Sequence, residues 1–493
     1  MPLSFASGLV SAVAPAPTSA PVRDEARALA LIQRHGRTAT AFRALGAGLE
    51  HWFLTDAQGD RGVVAFYRTP GALVSAGEPI AAAHDAIAVA EAFVVFAASQ
   101  RCRVSFFATE GILAASPRFR RVMLGEQPVW DPQSWADHVA HHRSLREQLR
   151  RARAKGVVVQ TFDADAMREP MHRAALERLI DRWFAARPMA RMGFLVEVDV
   201  FAWLSHRRSF VAMRDGVPVA LLSIVPVPAR GGWLFEHLLR DPDAPNGTAE
   251  LLVHHAMLQL ASDTVSWATL GLAPLAGPVS GWLRTVRSGS RPLFNFDGLA
   301  AFKRKLRPQR WEPIYLAYPR EQSSVRAMID GLRAFAGGPL WRFGARTVMR
   351  GPSVLLHALE WLLVPWTMLL ALAPTYPWFP SRAVQGAWVL FDLLLLVGLR
   401  ALRAKERATG TPARRTARRD AWQLSRALAI AVSADAVLTI VQAVWWNRSS
   451  MHGATEWSIV SLACLGPSLA SVVLWGATRR MDRLQTSPPS NRR

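Results

Sequence analysis

The sequence predicts two similar α/β units followed by an all-α transmembrane bundle, and three observations point there. Strand-type runs followed by a helical pattern and a further strand recur twice before residue 320. Near residue 350 the chain changes character, and frequent charges give way to apolar stretches. Each of those stretches approaches the ~20 residues that a helix needs to cross a bilayer core.

Taken in order, residues 1–34 are expected to form a flexible leader. Up to Val22 they are small and apolar, with Pro15, Pro17 and Pro21, and lack the basic segment that opens a secretory signal. The first unit, 35–165, contains GVVAFYR (Gly62 to Arg68) and ALVSAG (Ala72 to Gly77), which read as paired strands around the turn residues Pro70 and Gly71. A helix from Ile80 to Ser99 and the strand RVSFFAT (Arg103 to Thr109) follow. A basic helix from His138 to Lys155 stops at Gly156 and leads into the strand VVVQTF (Val157 to Phe162). The second unit, 166–320, opens with a helix from Ala166 to Ala186. The strands SFVAMRD and VPVALLSIV flank Gly216, and GWLFEHLLR runs into a helix from Thr248 to Ala261 and the strand VSWATLGL. Residues 321–350 read as a linker, 351–478 as four transmembrane helices, and 479–493 as a basic tail.

The apolar stretches run from Ser353 to Ala373, Ala383 to Leu399, Ala427 to Trp446 and Trp457 to Ala477, and the first three carry Glu360, Asp392 and Asp435 respectively. Nine basic residues lie between Arg400 and Arg426, whereas the loops on the other side carry only Arg382 and Arg448. By the positive-inside rule the basic loop is cytoplasmic, and four crossings then place the tail and everything before residue 350 on the same side. The expected location is a bacterial-type inner membrane, with the α/β part in the cytoplasm.

Composition narrows the partners. The formal net charge is +22, from 59 Lys and Arg against 37 Asp and Glu, which calls for a polyanion, either nucleic acid or anionic lipid. With Cys102 and Cys464 as its only cysteines, the chain has no disulfide framework and no cysteine-rich metal site. The adjacent pairs His141–His142 and His254–His255 lack further ligands at metal spacing, so no metal or other cofactor is expected.

Phosphate-loop, HExxH and GxSxG motifs are absent, and the chemistry falls instead on three dense clusters. In LLRDPDAPNGT (Leu238 to Thr248) a strand ends at Arg240, and a turn containing Asn246 and Gly247 leads into a helix N-terminus. Exposed N–H groups beside a guanidinium suit a phosphate or carboxylate; an ordinary capped turn at Thr248 fits the spacing equally well. LGLAPLAG (Leu270 to Gly277) is a strand end whose small residues let a ligand approach the backbone. The third cluster, Phe294 to Tyr318, sets Lys303, Arg304, Lys305, Arg307 and Arg310 among Phe302, Trp311 and Tyr315, which suits a phosphate backbone with a stacked base or a solvated charged face. The helix carrying Arg146, Arg150, Arg151, Arg153 and Lys155 fits a nucleic-acid backbone, anionic lipid or solvent.

These segments, in this order, resemble the C-terminal synthase domain of bacterial phosphatidylglycerol lysyltransferases. VVAFYR…GEPI, FFATE, LREQLRRARAKGV and DRWF extend the resemblance over about residues 35 to 320. It implies two tandem GNAT-type acyltransferase folds and transfer of an amino acid from aminoacyl-tRNA to a hydroxyl of an anionic phospholipid, phosphatidylglycerol. On the matching positions it implies Arg240 as the arginine after the central strand, with Lys303 and Lys305 as the lysines of the FK-K motif. One departure stands out: the family commonly has Asp-Leu-Met-Arg where this chain has His237-Leu238-Leu239-Arg240. An Asp suits the cationic amino group of lysine and His237 does not. The neighbouring Glu236 serves instead only if a bulge turns it to the same face as His237. A neutral imidazole at His237 also has the chemistry of a general base, and a structural strand histidine is the alternative. Glu236, His237 and Arg240 are thus the catalytic candidates, and Asn246, Gly247, Lys303, Lys305 and Arg307 the substrate-binding ones. Two other functions remain open: an acyl-CoA-dependent N-acyltransferase acting on an amine-bearing lipid such as a sphingoid base, and a non-catalytic protein that binds anionic lipid or nucleic acid.

Overall fold

The computed structural model describes residues 23–284, 296–351, 353–372, 378–408, 414–449 and 453–485. Of the expected leader 1–34, residues up to Val22 lie outside the described residues, as do Phe294 and Asn295 of the third cluster and the tail from residue 486. The rest of the leader is corrected, because Glu25–His35 form a helix whose Ala28, Leu31 and Ile32 are buried, and residues 479–485 of the expected tail continue the last helix. The first half of the α/β part contains α1 (Glu25–His35), β1 (Glu50–Asp56), β2 (Gly59–Thr69), β3 (Ala72–Ala76), β4 (Ile80–Ala81), α2 (Ala86–Ser99), β5 (Arg103–Thr109) and β6 (Phe119–Trp130). Next come α3 (Trp135–His141), α4 (Arg143–Ala154), β7 (Val158–Phe162), α5 (Ala164–Arg168) and α6 (Pro170–Ala185). The second half continues with β8 (Arg208–Arg214), β9 (Val217–Val227), β10 (Gly232–Arg240), α7 (Thr248–Ser262), β11 (Trp267–Thr269), β12 (Ala273–Pro274), α8 (Phe296–Lys305) and β13 (Arg310–Pro319).

Three helices differ from their expected forms for local reasons. The helix expected from Ile80 starts at Ala86, because Ile80 and Ala81 pair with Val63 and Gly62 of β2. The basic helix breaks at His142, whose backbone is extended (φ −112°, ψ 92°), leaving α3 and α4. Pro170 opens α6 after Glu169, whose carboxylate accepts from the N–H groups of Met171 and His172 and ends the helical run of α5. The strands β1 and β6 were not expected at all. β6 carries Gly125 and Pro128, which read as loop residues, yet it lies in the middle of the sheet.

The strands join into one sheet in the order β1-β2-β3-β5-β13-β6-β11-β10-β9-β8-β7. β13, the last strand of the chain, is inserted between β5 and β6, so each half is completed by a strand from the other: β13 sits beside β5, and β6 sits beside β11. The segments 35–165 and 166–320 are therefore interlocked through one sheet, with β7 at its far edge among the strands of the second half. Each half has its own packing. α2 sets Phe93 and Phe96 against Trp52, Phe66 and Phe106, while α7 sets Leu252, Ala256 and Leu260 against Phe210, Leu222 and Phe235.

After β13 come α9 (Ser324–Ala336) and α10 (Leu340–Val348), and then the long helices α11 (Ser353–Leu372), α12 (Arg382–Ala408), α13 (Arg414–Trp445) and α14 (Ala454–Gln485). α9 is fixed to the sheet by Arg103, whose guanidinium grips Asp330 through Nε (2.9 Å) and Nη2 (2.8 Å). Among the described residues three helices are long and apolar enough to cross a membrane: Val354–Leu372, Arg418–Ser449 and Ala454–Gln485. That is one fewer than the four stretches expected. α12 packs among the others through Leu395, Leu399 and Leu402, but it carries Asp392 within it and Arg400, Arg403, Lys405 and Glu406 along its last turns.

Candidate functional site

The candidate residues of the first cluster lie on β10 and the turn behind it. β10 pairs with β9 along its length, but with β11 only through Gly232–Leu234, so among the described residues its second half is paired on one side alone. Between Phe235 and His237 the register with β9 slips, and the extra residue is Glu236. This bulge breaks strict alternation and brings His237 Nε2 to 3.4 Å from Glu236 Oε2. The condition that the sequence set for Glu236 and His237 to share a face is met.

Their surroundings make them a closed cluster. The Glu236 side chain is 1% exposed and is held between Arg43 Nε, at 2.9 Å, and Arg207 Nη1. Arg43 comes from a short 3-10 turn before β1 and also donates to the Glu197 carbonyl (2.8 Å); Arg207 precedes β8 and also reaches Ser223 Oγ (3.3 Å). Burial alone would raise the Glu236 carboxyl, but the two arginines outweigh it and hold it down at about 2. Burial, with the same arginines, pushes His237 down to about 3, so its ring is neutral at pH 7 and lends Glu236 no charge. A proton acceptor that weak is poorly matched to removing a hydroxyl proton. The general-base expectation for His237 is corrected accordingly: it is a buried neutral group, and its Nε2 has no hydrogen-bond partner among the described residues.

Arg240, at the end of β10, is different. It is partly exposed, and its guanidinium has neither an ion pair nor a hydrogen bond within the described residues. The turn that follows is clamped from behind. Asp241 accepts from Arg182 at Nε (2.6 Å) and Nη2 (3.1 Å), Asp243 Oδ2 accepts from Arg182 Nη2 (2.8 Å), and Asp243 N–H donates to Asp241 Oδ1 (2.7 Å). Buried Asp241 and Arg182, with the half-exposed Asp243, are thus a scaffold that presents Arg240 at its edge.

The other expected site residues divide. Asn246 is exposed beside the first turn of α7. Gly247 has φ +91°, and a Cβ there would run into the Gln148 carbonyl, so its small size serves contact with α4; this corrects its assignment as a place of substrate approach. Lys303 is corrected too. Its ammonium is buried and donates to the carbonyls of Leu270 (2.8 Å), Gly271 (2.7 Å) and Leu272 (2.8 Å), and burial lowers it to about 7. It pins the LGLAP turn from inside and is not presented to a polyanion. Lys305 pairs with Glu250 in the first turn of α7 (2.6 Å). Arg307 is exposed, without a side-chain partner among the described residues. His254 accepts from Trp135 Nε1 (3.1 Å), and the described residues hold no group of His, Cys, Asp or Glu suited to a metal.

A second polar cluster, not foreseen, lies where the halves exchange strands. Arg230 bridges Glu110 and Glu312 (Nη1 to Oε2 of Glu312, 3.2 Å), and Gln127 Nε2 donates to both carboxylates (3.2 and 3.1 Å). Burial raises the Glu110 carboxyl, whereas Glu312 is lowered, its burial outweighed by Arg310 and Arg230. Glu110 belongs to FFATE and Glu312 to WEPIY, so both motifs were visible in the sequence although these residues were not singled out. Arg43 and Arg207 carried no such signal among so many arginines.

Comparison with known proteins decides the family. Residues 29–318 match the family described as phosphatidylglycerol lysyltransferase, C-terminal. The chain belongs to this family. A phosphatidylglycerol lysyltransferase of Bacillus subtilis (strain 168) is 26% identical over 157 residues, 30% of this chain and 18% of that protein. The lysylphosphatidylglycerol biosynthesis bifunctional protein LysX of Mycolicibacterium gilvum (strain PYR-GCK) is 26% identical over 215 residues, 40% of this chain and 19% of that protein. The chain thus spans less than a fifth of each relative's length. The structure of L-PGS from Bacillus licheniformis superposes with a TM-score of 0.55 at 20% identity, over 64% of this chain and 97% of that one. The expected GNAT-like α/β architecture followed by apolar helices is what the molecule has.

Proposed function

We propose that this chain is a membrane-bound aminoacyltransferase that moves an aminoacyl group from aminoacyl-tRNA to the headgroup of an anionic phospholipid, with phosphatidylglycerol as acceptor. The family match over residues 29–318 carries the reading, since it takes in nearly the whole α/β part and every motif around Arg240. The reaction is an ester exchange: a lipid hydroxyl attacks the aminoacyl carbonyl, a new ester forms, and the tRNA ribose hydroxyl leaves with the proton that the lipid hydroxyl gives up. An aminoacyl ester is already activated, so the protein's tasks are alignment, proton transfer and stabilisation of the oxyanion. Arg240 is suited to gripping a phosphate or carboxylate with its fork, and Asn246 stands exposed in the turn that follows it. Glu236, locked by Arg43 and Arg207, shapes this part of β10 from within.

Four crossings, with the α/β part in the cytoplasm, complete the proposal. Arg418 near the start of α13 pairs with Asp243 (2.6 Å), and the Leu484 carbonyl near the end of α14 accepts from Arg182. These contacts put those two helix ends beside the α/β part, which supports an even number of passes between residue 350 and the tail. Transfer from lysyl-tRNA, alanyl-tRNA or acyl-CoA into lipid by the purified full chain tests the reading. Incorporation from acyl-CoA alone replaces it with an N-acyltransferase, and no incorporation from any donor leaves a binding protein.

A further inference from the structure

The helical bundle encloses a cavity of about 260 Å³ that the transfer reaction does not use. Its walls are apolar, with Leu363, Leu395, Val432 and the rings of Trp366 and Trp388 among them, and two carboxyl side chains, Asp392 of α12 and Asp435 of α13, line it. Both are more than nine-tenths buried. Within the described residues their side chains meet only threonine hydroxyls, Asp392 Oδ2 with Thr367 Oγ1 at 3.4 Å and Asp435 Oδ1 with Thr439 Oγ1 at 3.2 Å. Glu360, the third acidic residue of these helices, contrasts with them, because Arg400 (3.1 Å) and Arg403 (3.0 Å) pair with it.

The remaining polar groups add acceptors. Asn447 is 7% exposed and lines the cavity, and its Oδ1 has no partner among the described residues; the Gln442 Oε1 already accepts from Trp388 Nε1 (3.1 Å). Among the described residues no Lys, Arg or His lines the space. Leu362 and Leu462, which belong to its lining, are exposed on the outer face of the bundle, so the cavity reaches the surface that lipid would cover. Asp392 and Asp435 each stand ten residues from the outer ends of their helices at Arg382 and Trp445, or about 15 Å at 1.5 Å per residue. That is close to the middle of a hydrocarbon core of about 30 Å.

Isolated carboxyls at that depth are costly unless a ligand answers them, and they characteristically face a functional cavity. The excess of acceptors calls for a donor-rich cation, the Trp rings suit an ammonium, and the apolar walls with a lateral opening suit an alkyl chain. We infer that this cavity binds an amphiphile with a primary ammonium headgroup, an amine-bearing lipid, with Asp392 and Asp435 holding the ammonium. The inference does not rest on which donor or acceptor the α/β part uses, and binding is read without transfer.

The test is equilibrium binding of radiolabelled octadecylamine to the detergent-solubilised full chain, with octadecanol as the uncharged comparator. Saturable amine binding is expected, and Asp392→Asn combined with Asp435→Asn should weaken it about tenfold or more while leaving octadecanol within about twofold. Val432→Trp, which fills part of the cavity and keeps both carboxyls, should abolish binding of the amine and serves if the double variant does not fold. Competition by an aminoacylated phosphatidylglycerol or by phosphatidylethanolamine distinguishes the two natural sources of the headgroup, and success of either supports the assignment. Equal binding of amine and alcohol, unchanged amine binding in both variants, or failure of both lipids to compete would overturn it.

Discussion

Arg240 stands apart from the arginines around it because no carboxylate among the described residues answers it, whereas Arg43, Arg182 and Arg207 are all tied to buried acids. Arg240→Lys keeps the charge and loses the fork, so transfer should fall by about two orders of magnitude with an unchanged melting temperature. A melting temperature that fell in step with activity would make Arg240 part of the scaffold. Arg182→Ala is the opposite case: it strands Asp241 and should destabilise the protein by about 3–5 kcal/mol. Glu236 and His237 predict acid sensitivity of a defined shape. His237 is lowered to about 3 in the fold, below the ordinary histidine value, so its contribution is fully present above about pH 6.5 and declines as pH falls towards 3. Over that window stability should drop by up to about 1.4 kcal/mol per pH unit. His237→Gln should flatten this slope in thermal melts between pH 6 and 4. Glu236, lowered to about 2, acts only further down, with its contribution present above about pH 4.5 and lost as pH falls through 2. The sequence pointed to Arg240 because strand, turn and helix are contiguous there, but it did not reveal that Lys303 is turned inward, since burial depends on the distant LGLAP turn.

At the scale of elements, the hairpin of β2 and β3 and the run from β8 to α7 were readable from alternation and turn residues. Those signals are local. β6 was not readable, because Gly125 and Pro128 break its pattern, and nothing within β13 indicates that it inserts between β5 and β6. The bulge at Glu236 likewise depends on pairing with β9. The turn into α7 offers an element-scale test. Gly247→Ala forces a side chain into a positive-φ position against the Gln148 carbonyl and should destabilise by about 1–3 kcal/mol, with loss of transfer as the turn bearing Arg240 and Asn246 shifts. Lys303→Met should also act through stability, leaving three carbonyls without their donor, while Arg307→Ala should leave the melt unchanged and weaken binding of tRNA or anionic vesicles with a reduced salt slope. Vesicle and tRNA binding at two salt concentrations, beside thermal melts, separates the two.

For the whole molecule, the ion pairs of Asp243 with Arg182 and Arg418 link the α/β part to the bundle at the turn that presents Arg240. The membrane helices therefore bear on the site's position as well as on anchoring. Reporters fused after residue 493 and near Thr409 should read cytoplasmic and one near Met451 external; a cytoplasmic signal near Met451 would remove the four-crossing arrangement. The identity of the transferred group defines the enzyme, and product analysis reads it. Purified full chain in phosphatidylglycerol vesicles would be offered labelled lysyl-tRNA, alanyl-tRNA and acyl-CoA in turn, as the parent and as Arg240→Lys. Label is expected in an aminoacylated phospholipid from at least one aminoacyl-tRNA, strongly reduced in Arg240→Lys. Label entering lipid only from acyl-CoA, or from no donor at all, would contradict it.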